Sequence, residues 1–270
     1  MNKVLIGVVT NKVKDYCWND FKAQLKRLEA KGHDVLIVEN TQPIHRRYDF
    51  KTVHYTQPLA DYKEIKRLKG NPLAYVTRDC MNILRQYFLN NDYTHLMVLE
   101  SDVFIEEDSI DRLLSLDCDV ANFTYWMNLE RFNDLSLCVQ STDTKKTPRM
   151  ITPEESKELV NTGVKVLNVD TLNGKTLSHT GYGATLIRRK VLEKIAFRTI
   201  VLDNKIETTT PFPDSFFHHD VKLSNFSNYL DTDYIPEHRN INNETRQQIN
   251  KAKGVMSRRQ RRALERLNRK

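Results

Sequence analysis

Two carboxylates one residue apart, Glu100 and Asp102, end an apolar run. In THLMVLESDVFIEEDSI, residues 94–110, Leu96, Met97, Val98 and Leu99 give way abruptly to Glu100-Ser101-Asp102, and acids resume at Glu106, Glu107 and Asp108. In open α/β sheets ligands bind beyond the carboxyl ends of the strands. Hard oxygen ligands placed there suit Mg²⁺ or Mn²⁺, and such an ion can in turn grip a diphosphate. The plain alternative is a polar loop that begins where a buried strand stops.

Hydrophobic spacing shows which elements must carry these residues. KVLIGVVT (3–10) is apolar on both faces, as a central parallel strand requires. Trp18, Phe21, Leu25 and Leu28 then recur at helical spacing, with Gly32 as a stop, and HDVLIVEN (33–40) reads as a second strand. This strand–helix–strand unit has the length of a right-handed crossover. Residues 41–70 read as irregular. A helix is expected over 73–90, with Ile83, Leu84, Tyr87 and Phe88 on one face, followed by a strand over 94–99. A helix near 106–116 has acids at its N-terminus, where they favour the helix dipole, and DVANFTYW (119–126) reads as a strand. Residues 128–162 show no period and read as a long loop or insertion, the kind of segment used for lids or left as plain surface. Strand and turn follow over 164–174; loop, strand and helix over 180–195; a short helix over 214–224; and extended chain over 228–238. Strands alternating with helices imply an α/β sheet.

The composition narrows the classes. The 270 residues suffice for one large domain or two small ones. Cys17, Cys80, Cys118 and Cys138 form no Cys-x-x-Cys pair, which argues against a zinc finger and for reduced thiols in a cytoplasmic setting. The N-terminal apolar run is too short for a signal segment, and no run approaches a membrane span, so a soluble protein is expected. The net charge of +7 is uneven: residues 239–270 carry eleven Lys and Arg against two Glu, which leaves the rest close to neutral. A basic tail on a neutral body suits accessory contact with a polyanion.

The chain resembles the GT-A glycosyltransferases over about residues 3–240, through four stretches in the expected order. These are the N-terminal strand–helix–strand ending in IVEN; AYVTRDCMNILRQYFLNNDYTHLMVLESDV, with its D-x-D-type motif; GYGATLIRRKVLEKI; and PDSFFHHDVKLSNFSNYLDTDYIPEH. Asp79 stands where the family often has Asn, Glu100 where it has a first Asp, and Pro213 where an acid often precedes the key Asp. The resemblance implies a Rossmann-like, mixed but mainly parallel sheet flanked by helices over 1–240, with a basic tail over 241–270. It implies a sugar donor linked to a nucleoside diphosphate, UDP above all, held by Thr10, Glu39, Asn40, Arg78, Glu100, Ser101, Asp102, Gly181 and Gly183. It further implies Mn²⁺ or Mg²⁺ on Asp102, His238 and Glu100, and Asp214 either as the base that deprotonates an acceptor hydroxyl or as a residue that orients it. Only as the base would it make the reaction inverting, and the sequence leaves inversion and retention both open.

Each role has a structural alternative. Arg78 could grip a diphosphate with its fork of donors or form a surface ion pair. Gly181 and Gly183 could let backbone approach the sugar or simply make a turn. Asp214 could cap a helix. His238 could be a loop histidine, and Trp126 a core aromatic rather than a platform for the acceptor. His218 and His219, adjacent on a helix, point about 100° apart and read as structural.

For the acceptor, the tail matches a phosphate-binding segment better than an embedded membrane helix, since Met256, Ala263, Leu264 and Leu267 form only a thin apolar stripe. The combination resembles the bacteriophage enzymes that glycosylate hydroxymethylated bases of DNA, which would work in the cytoplasm of a bacterial host. Transfer to a bacterial surface glycan or lipid precursor, and a non-catalytic nucleotide-sugar or nucleic-acid binder, are the alternatives. A nucleotidyltransferase would carry a Gly-rich phosphate loop after the first strand, where this chain has TNKVKDYCW.

Overall fold

The computed structural model describes residues 2–40, 49–56, 72–128, 135–142, 148–199 and 212–239. One unit ends at His238; the second, Arg239–Lys270, carries the expected basic tail, and residues 241–270 lie outside the described residues.

The strands are β1 (Val4–Thr10), β2 (Asp34–Glu39), β3 (Lys51–His54), β4 (His95–Leu99), β5 (Val103–Phe104), β6 (Val120–Phe123), β7 (Trp126–Asn128) and β8 (Leu135–Leu137). They continue with β9 (Val139–Thr142), β10 (Arg149–Met150), β11 (Val164–Val166), β12 (Thr171–Leu172), β13 (Lys175–Thr180), β14 (Ala184–Arg188), β15 (Asn228–Asp231) and β16 (Glu237–His238). The helices are α1 (Trp18–Ala30), α2 (Pro72–Leu89), α3 (Ser109–Ser115), α4 (Pro153–Leu159), α5 (Arg189–Lys194) and α6 (Pro213–Leu223).

An eight-stranded sheet, in the order β11-β15-β6-β14-β4-β1-β2-β3, forms the centre. β3, β2, β1 and β4 run parallel, as do β6 and β15; β14 is antiparallel to both of its neighbours, β4 and β6. The fold is therefore a mixed, mainly parallel α/β sheet with helices on both faces.

The strand period of two explains the layering. Val4, Ile6 and Val8 of β1, with Val35, Ile37, Met97 and Leu99, face α1 through Phe21, Leu25 and Leu28 and α3 through Ile110 and Leu113. Leu5, Leu36, Val38, Leu96 and Val98 face the other way, onto Cys80, Met81, Leu84 and Phe88 of α2, Val191 and Leu192 of α5, and Phe217 and Val221 of α6. With both faces covered, β1, β2 and β4 read as continuous apolar runs.

Two stretches differ from the sequence expectation. Within 41–70, residues 51–54 form the parallel edge strand β3, while 41–48 and 57–71 lie outside the described residues. The described parts of 128–162 are ordered rather than loop. They supply the last residue of β7, all of β8 to β10 and α4, and β9 joins a four-stranded sheet, β10-β9-β13-β12, over a third apolar cluster that includes Leu137, Val139, Ile151, Leu159 and Leu177. Helix α4 opens on a reciprocal cap: Thr152 Oγ1 accepts from Glu155 N–H at 3.2 Å, and Glu155 Oε2 accepts from Thr152 N–H at 2.8 Å. Strands of two to four residues are too short to show a period, which is why the stretch reads as irregular.

Candidate active site

The carboxyl ends of β1, β2 and β4 open into one cleft of about 240 Å³. It is lined by Thr10, Asn11, Lys14 and Asn40, by Glu100 and Ser101, by Leu73, Val76 and Thr77 of α2, and by Tyr182, Phe212, Pro213 and Asp214. Parallel pairing brings the strand ends level. Thr10 stands opposite Glu39, Asn40 N–H donates to the Thr10 carbonyl at 3.1 Å, and buried Thr10 Oγ1 donates to Ser101 Oγ at 2.9 Å.

His238 reaches this corner through a two-residue ladder. β16 pairs antiparallel with β5, His238 opposite Val103, which sets its imidazole beside Asp102. His238 Nε2 lies 3.3 Å from Asp102 Oδ2. Its Nδ1 lies 3.2 Å from the Trp126 carbonyl, which can only accept, so Nδ1 carries a proton and Nε2 is the nitrogen turned to the carboxylate. Glu100, Asp102 and His238 each offer a ligand atom, all within 4.8 Å of one another.

Asp102 is 1% exposed. Its Oδ2 is shared by His238, by Tyr16 Oη at 3.1 Å and by the Lys14 ammonium, while Oδ1 is buried with no hydrogen-bond partner. A buried carboxylate oxygen without a donor is costly to leave bare, and a hard cation would satisfy it. Two carboxylates and a neutral imidazole nitrogen form a donor set that Mn²⁺ and Mg²⁺ accept.

The two acids shift in opposite directions. Burial acts to raise the pKa of Asp102, but the His238 hydrogen bond and the Lys14 charge outweigh it and hold the carboxyl below its ordinary range. Glu100 moves the other way: burial and the adjacent Asp102 charge raise it against Lys14 and His238. Burial acts to lower the pKa of His238, but the hydrogen bond and charge of Asp102 prevail and raise it.

Asp214 also lines the cleft, in the first turn of α6 after Pro213, with Phe212 at the N-cap position. Its Oδ1 accepts from Ser215 N–H at 2.7 Å, and burial pushes the carboxyl up to about 6. The Ser215 hydroxyl also lies 3.1 Å from His179 Nε2.

The remaining expected residues fall less directly on the cleft. Glu39, 1% exposed, faces His54 of β3, with Nδ1 at 3.2 Å. Arg78 is held by Asp79, Nε to Oδ1 at 2.7 Å, and stacks over Tyr75; from the same helix Leu73, Val76 and Thr77 line the cleft instead. The space beside Gly181 and Gly183 is filled from within. A Cβ on Gly183 would lie 1.9 Å from Tyr125 Cε1, and one on Gly181 would lie 2.7 Å from Tyr125 Oη. That ring packs 4.6 Å from His238, centroid to centroid, and its hydroxyl donates to Glu100 Oε2 at 3.4 Å. Trp126 lends the site its carbonyl, while its side chain packs beside the third apolar cluster. His218 is buried, with Nδ1 2.9 Å from Asn228 Nδ2, and His219 is exposed, as expected for neighbours on a helix.

Lys14, Tyr16, Tyr125 and Tyr182 escape a reading of the sequence. Only Lys14 had a signal there, a cation just past the carboxyl end of β1 in TNKVKDYCW. The aromatics are indistinguishable from core residues until the chain is folded.

No protein-family model and no curated protein matches the chain. Among solved structures, it is similar to A197 from STIV at 16% identity and a TM-score of 0.43, over 88% of this chain and 86% of that one. It is similar to S. aureus TarS 1-349 at 11% identity and a TM-score of 0.46, over 87% of this chain and 59% of that one. It is also similar to a CMP:2-keto-3-deoxy-manno-octonic acid synthetase complexed with CTP, at 10% identity and a TM-score of 0.43, over 85% and 89%. At such scores the likenesses transfer no function.

Proposed function

We propose that the chain is a metal-dependent glycosyltransferase of the GT-A type, moving a sugar from a UDP-linked or similar nucleoside-diphosphate donor to a hydroxyl acceptor. The observation that carries this reading is the meeting of Glu100 and Asp102 with His238, which is distant in sequence, beside a strand-end cleft that Glu100 lines. Asp102 and His238 would hold a divalent ion, with Glu100 completing the shell or contacting the ribose. Such an ion supplies Lewis-acid stabilisation of charge on the departing diphosphate.

The chain's own groups do the rest. Thr10, Asn40 and Thr77 offer hydrogen-bonding groups to a nucleoside, and Lys14 offers a charge to its phosphates. Leu73, Val76, Tyr182 and Phe212 form apolar wall that excludes water from the reacting carbon. Ionised Asp214 accepts the proton of the acceptor hydroxyl as the new carbon–oxygen bond forms and the nucleoside diphosphate departs with the old bond's electron pair. A base on the face opposite the leaving group gives inversion. A carboxyl near pKa 6 is suited to this work near neutral pH.

For the acceptor we propose a hydroxymethylated base of DNA, supported by the eleven basic residues against two acids over 239–270 beside a nearly neutral body. A panel of nucleotide sugars with Mn²⁺ tests the enzyme, read as donor turnover and as mass added to nucleosides of modified DNA. Asp102→Ala should lower turnover on the order of a thousandfold with the fold intact. Full activity of that variant, or of the parent protein in EDTA, refutes the metal-dependent reading.

A further inference from the structure

Lys14 lines the cleft wall with its charge already committed to the acidic cluster. It sits in a short 3-10 turn, Lys12–Cys17, directly after β1. That turn is pinned to the segment it faces: Asn11 caps it by accepting from Val13 N–H at 2.9 Å, and Cys17 Sγ lies 3.3 Å from the Ser101 carbonyl. The backbone is therefore fixed, and the four-carbon stem is the adjustable part. Its ammonium contacts Asp102 Oδ2, yet the side chain is 33% exposed and lines the cleft. A lysine so placed can reach a buried carboxylate or a ligand in the cleft by changing rotamer alone.

We infer that Lys14 is a tethered cation that holds Asp102 until donor arrives and then exchanges places, its ammonium moving onto the donor's diphosphate as Asp102 takes a divalent ion. The inference rests on the metal-dependent reading above. Three groups already share Oδ2, and two of them, Lys14 and His238, are cations or become so on protonation. A divalent ion on the same carboxylate meets the ammonium at contact range, where like charges repel strongly. The repulsion is relieved when an anion with several oxygens enters the cleft and binds both cations. Metal and nucleotide should therefore bind cooperatively, with the coupling carried by Lys14, and the coupling is necessarily reciprocal. Without the exchange, a bare acidic cluster in a buried corner would trap metal with no donor present.

Mn²⁺ affinity measured by titration calorimetry, with and without UDP, tests this in the full chain without relying on turnover. The parent protein should bind Mn²⁺ weakly alone and at least tenfold more tightly with UDP. Lys14→Gln should bind Mn²⁺ alone about tenfold more tightly than the parent, and UDP should then add little. Lys14→Arg, which keeps the charge, should behave like the parent. Thermal unfolding in EDTA establishes that each variant is folded, and a variant that is not folded is replaced by Lys14→Met. If Mn²⁺ binds the parent and Lys14→Gln equally, with equal enhancement by UDP, the exchange is refuted while the metal site stands. If UDP binds, Mn²⁺ binds neither protein, and turnover persists in EDTA but disappears in Lys14→Gln, then Lys14 is itself the resident cation. The exchange and the metal-dependent reading then both fall.

Discussion

Replacing Gly183 with alanine should damage the site through a single clash. The added Cβ would lie 1.9 Å from Tyr125 Cε1, 2.5 Å from Cδ1 and 2.8 Å from Cζ. Carbon atoms rest comfortably at about 3.5–4.0 Å, so the ring must retreat by on the order of 1.5 Å. It has little room: Tyr125 is 3% exposed, lies 4.6 Å from the His238 ring and places its hydroxyl on Glu100. Gly183 is not among the residues with positive φ, so alanine meets no backbone penalty there and the whole effect is steric. Overpacking of a rigid aromatic falls at the upper end of such effects, about 3 kcal/mol. Tyr125→Ala, which leaves a cavity, should by itself lose about 3–5 kcal/mol. The double variant should be no less stable than Tyr125→Ala, because the clash has gone, which gives a coupling of about 3 kcal/mol. Urea unfolding of the four proteins at pH 7 measures this, with equal m-values as the condition for comparison. Mn²⁺ affinity should fall in Gly183→Ala as the ring disturbs His238 and Glu100. A neutral Gly183→Ala, or additive losses in the double variant, would refute the cradle that this geometry describes.

Acid should weaken the fold early. Burial pushes His179 down to about 4, and burial with the neighbouring His179 pushes His218 down to about 3, so the unfolded chain takes up protons first. Their contribution is complete above about pH 6.5 and declines below it by about 1.4 kcal/mol per pH unit for each histidine until its folded pKa is reached. Urea midpoints measured from pH 7 to 5 should fall accordingly, with a smaller slope in His218→Gln, and flat midpoints would contradict this. Asp214→Asn should lower kcat far more than it raises KM, and parent kcat should decline as pH falls through about 6, where Asp214 takes a proton. An unchanged kcat with a raised KM would make Asp214 a binding residue instead. Truncation after Asn240 should weaken DNA binding and flatten its salt dependence, by about 0.9 in the log–log slope for each phosphate the tail no longer neutralises, while donor hydrolysis persists. Equal slopes would dismiss the tail as a DNA-binding element, and loss of binding to anionic vesicles alone would point to a membrane acceptor.

The sequence by itself determined the elements that carry a long local period. Val4–Thr10, Trp18–Ala30, Asp34–Glu39, Pro72–Leu89 and His95–Leu99 are all legible because each repeats its apolar spacing within one window and buries the face that spacing marks. Their alternation implies the parallel sheet, and the sheet rule places Thr10, Asn40 and Glu100 at one edge. Tertiary structure decided the rest. That β14 runs antiparallel between β4 and β6 is a matter of pairing between strands distant in sequence, which no local window contains. The same holds for the short strands β7 to β10, which are fixed by the sheet they join and not by propensity. His238 meets Asp102 only because β16 finds β5, Lys14 reaches it only because the turn after β1 is pinned to Ser101, and Tyr125 fills the faces of Gly181 and Gly183 only once β13 and β14 lie against its loop. Periodicity is a property of neighbours along the chain, whereas a ligand set, a committed lysine and a ring in a glycine cradle are properties of neighbours in space.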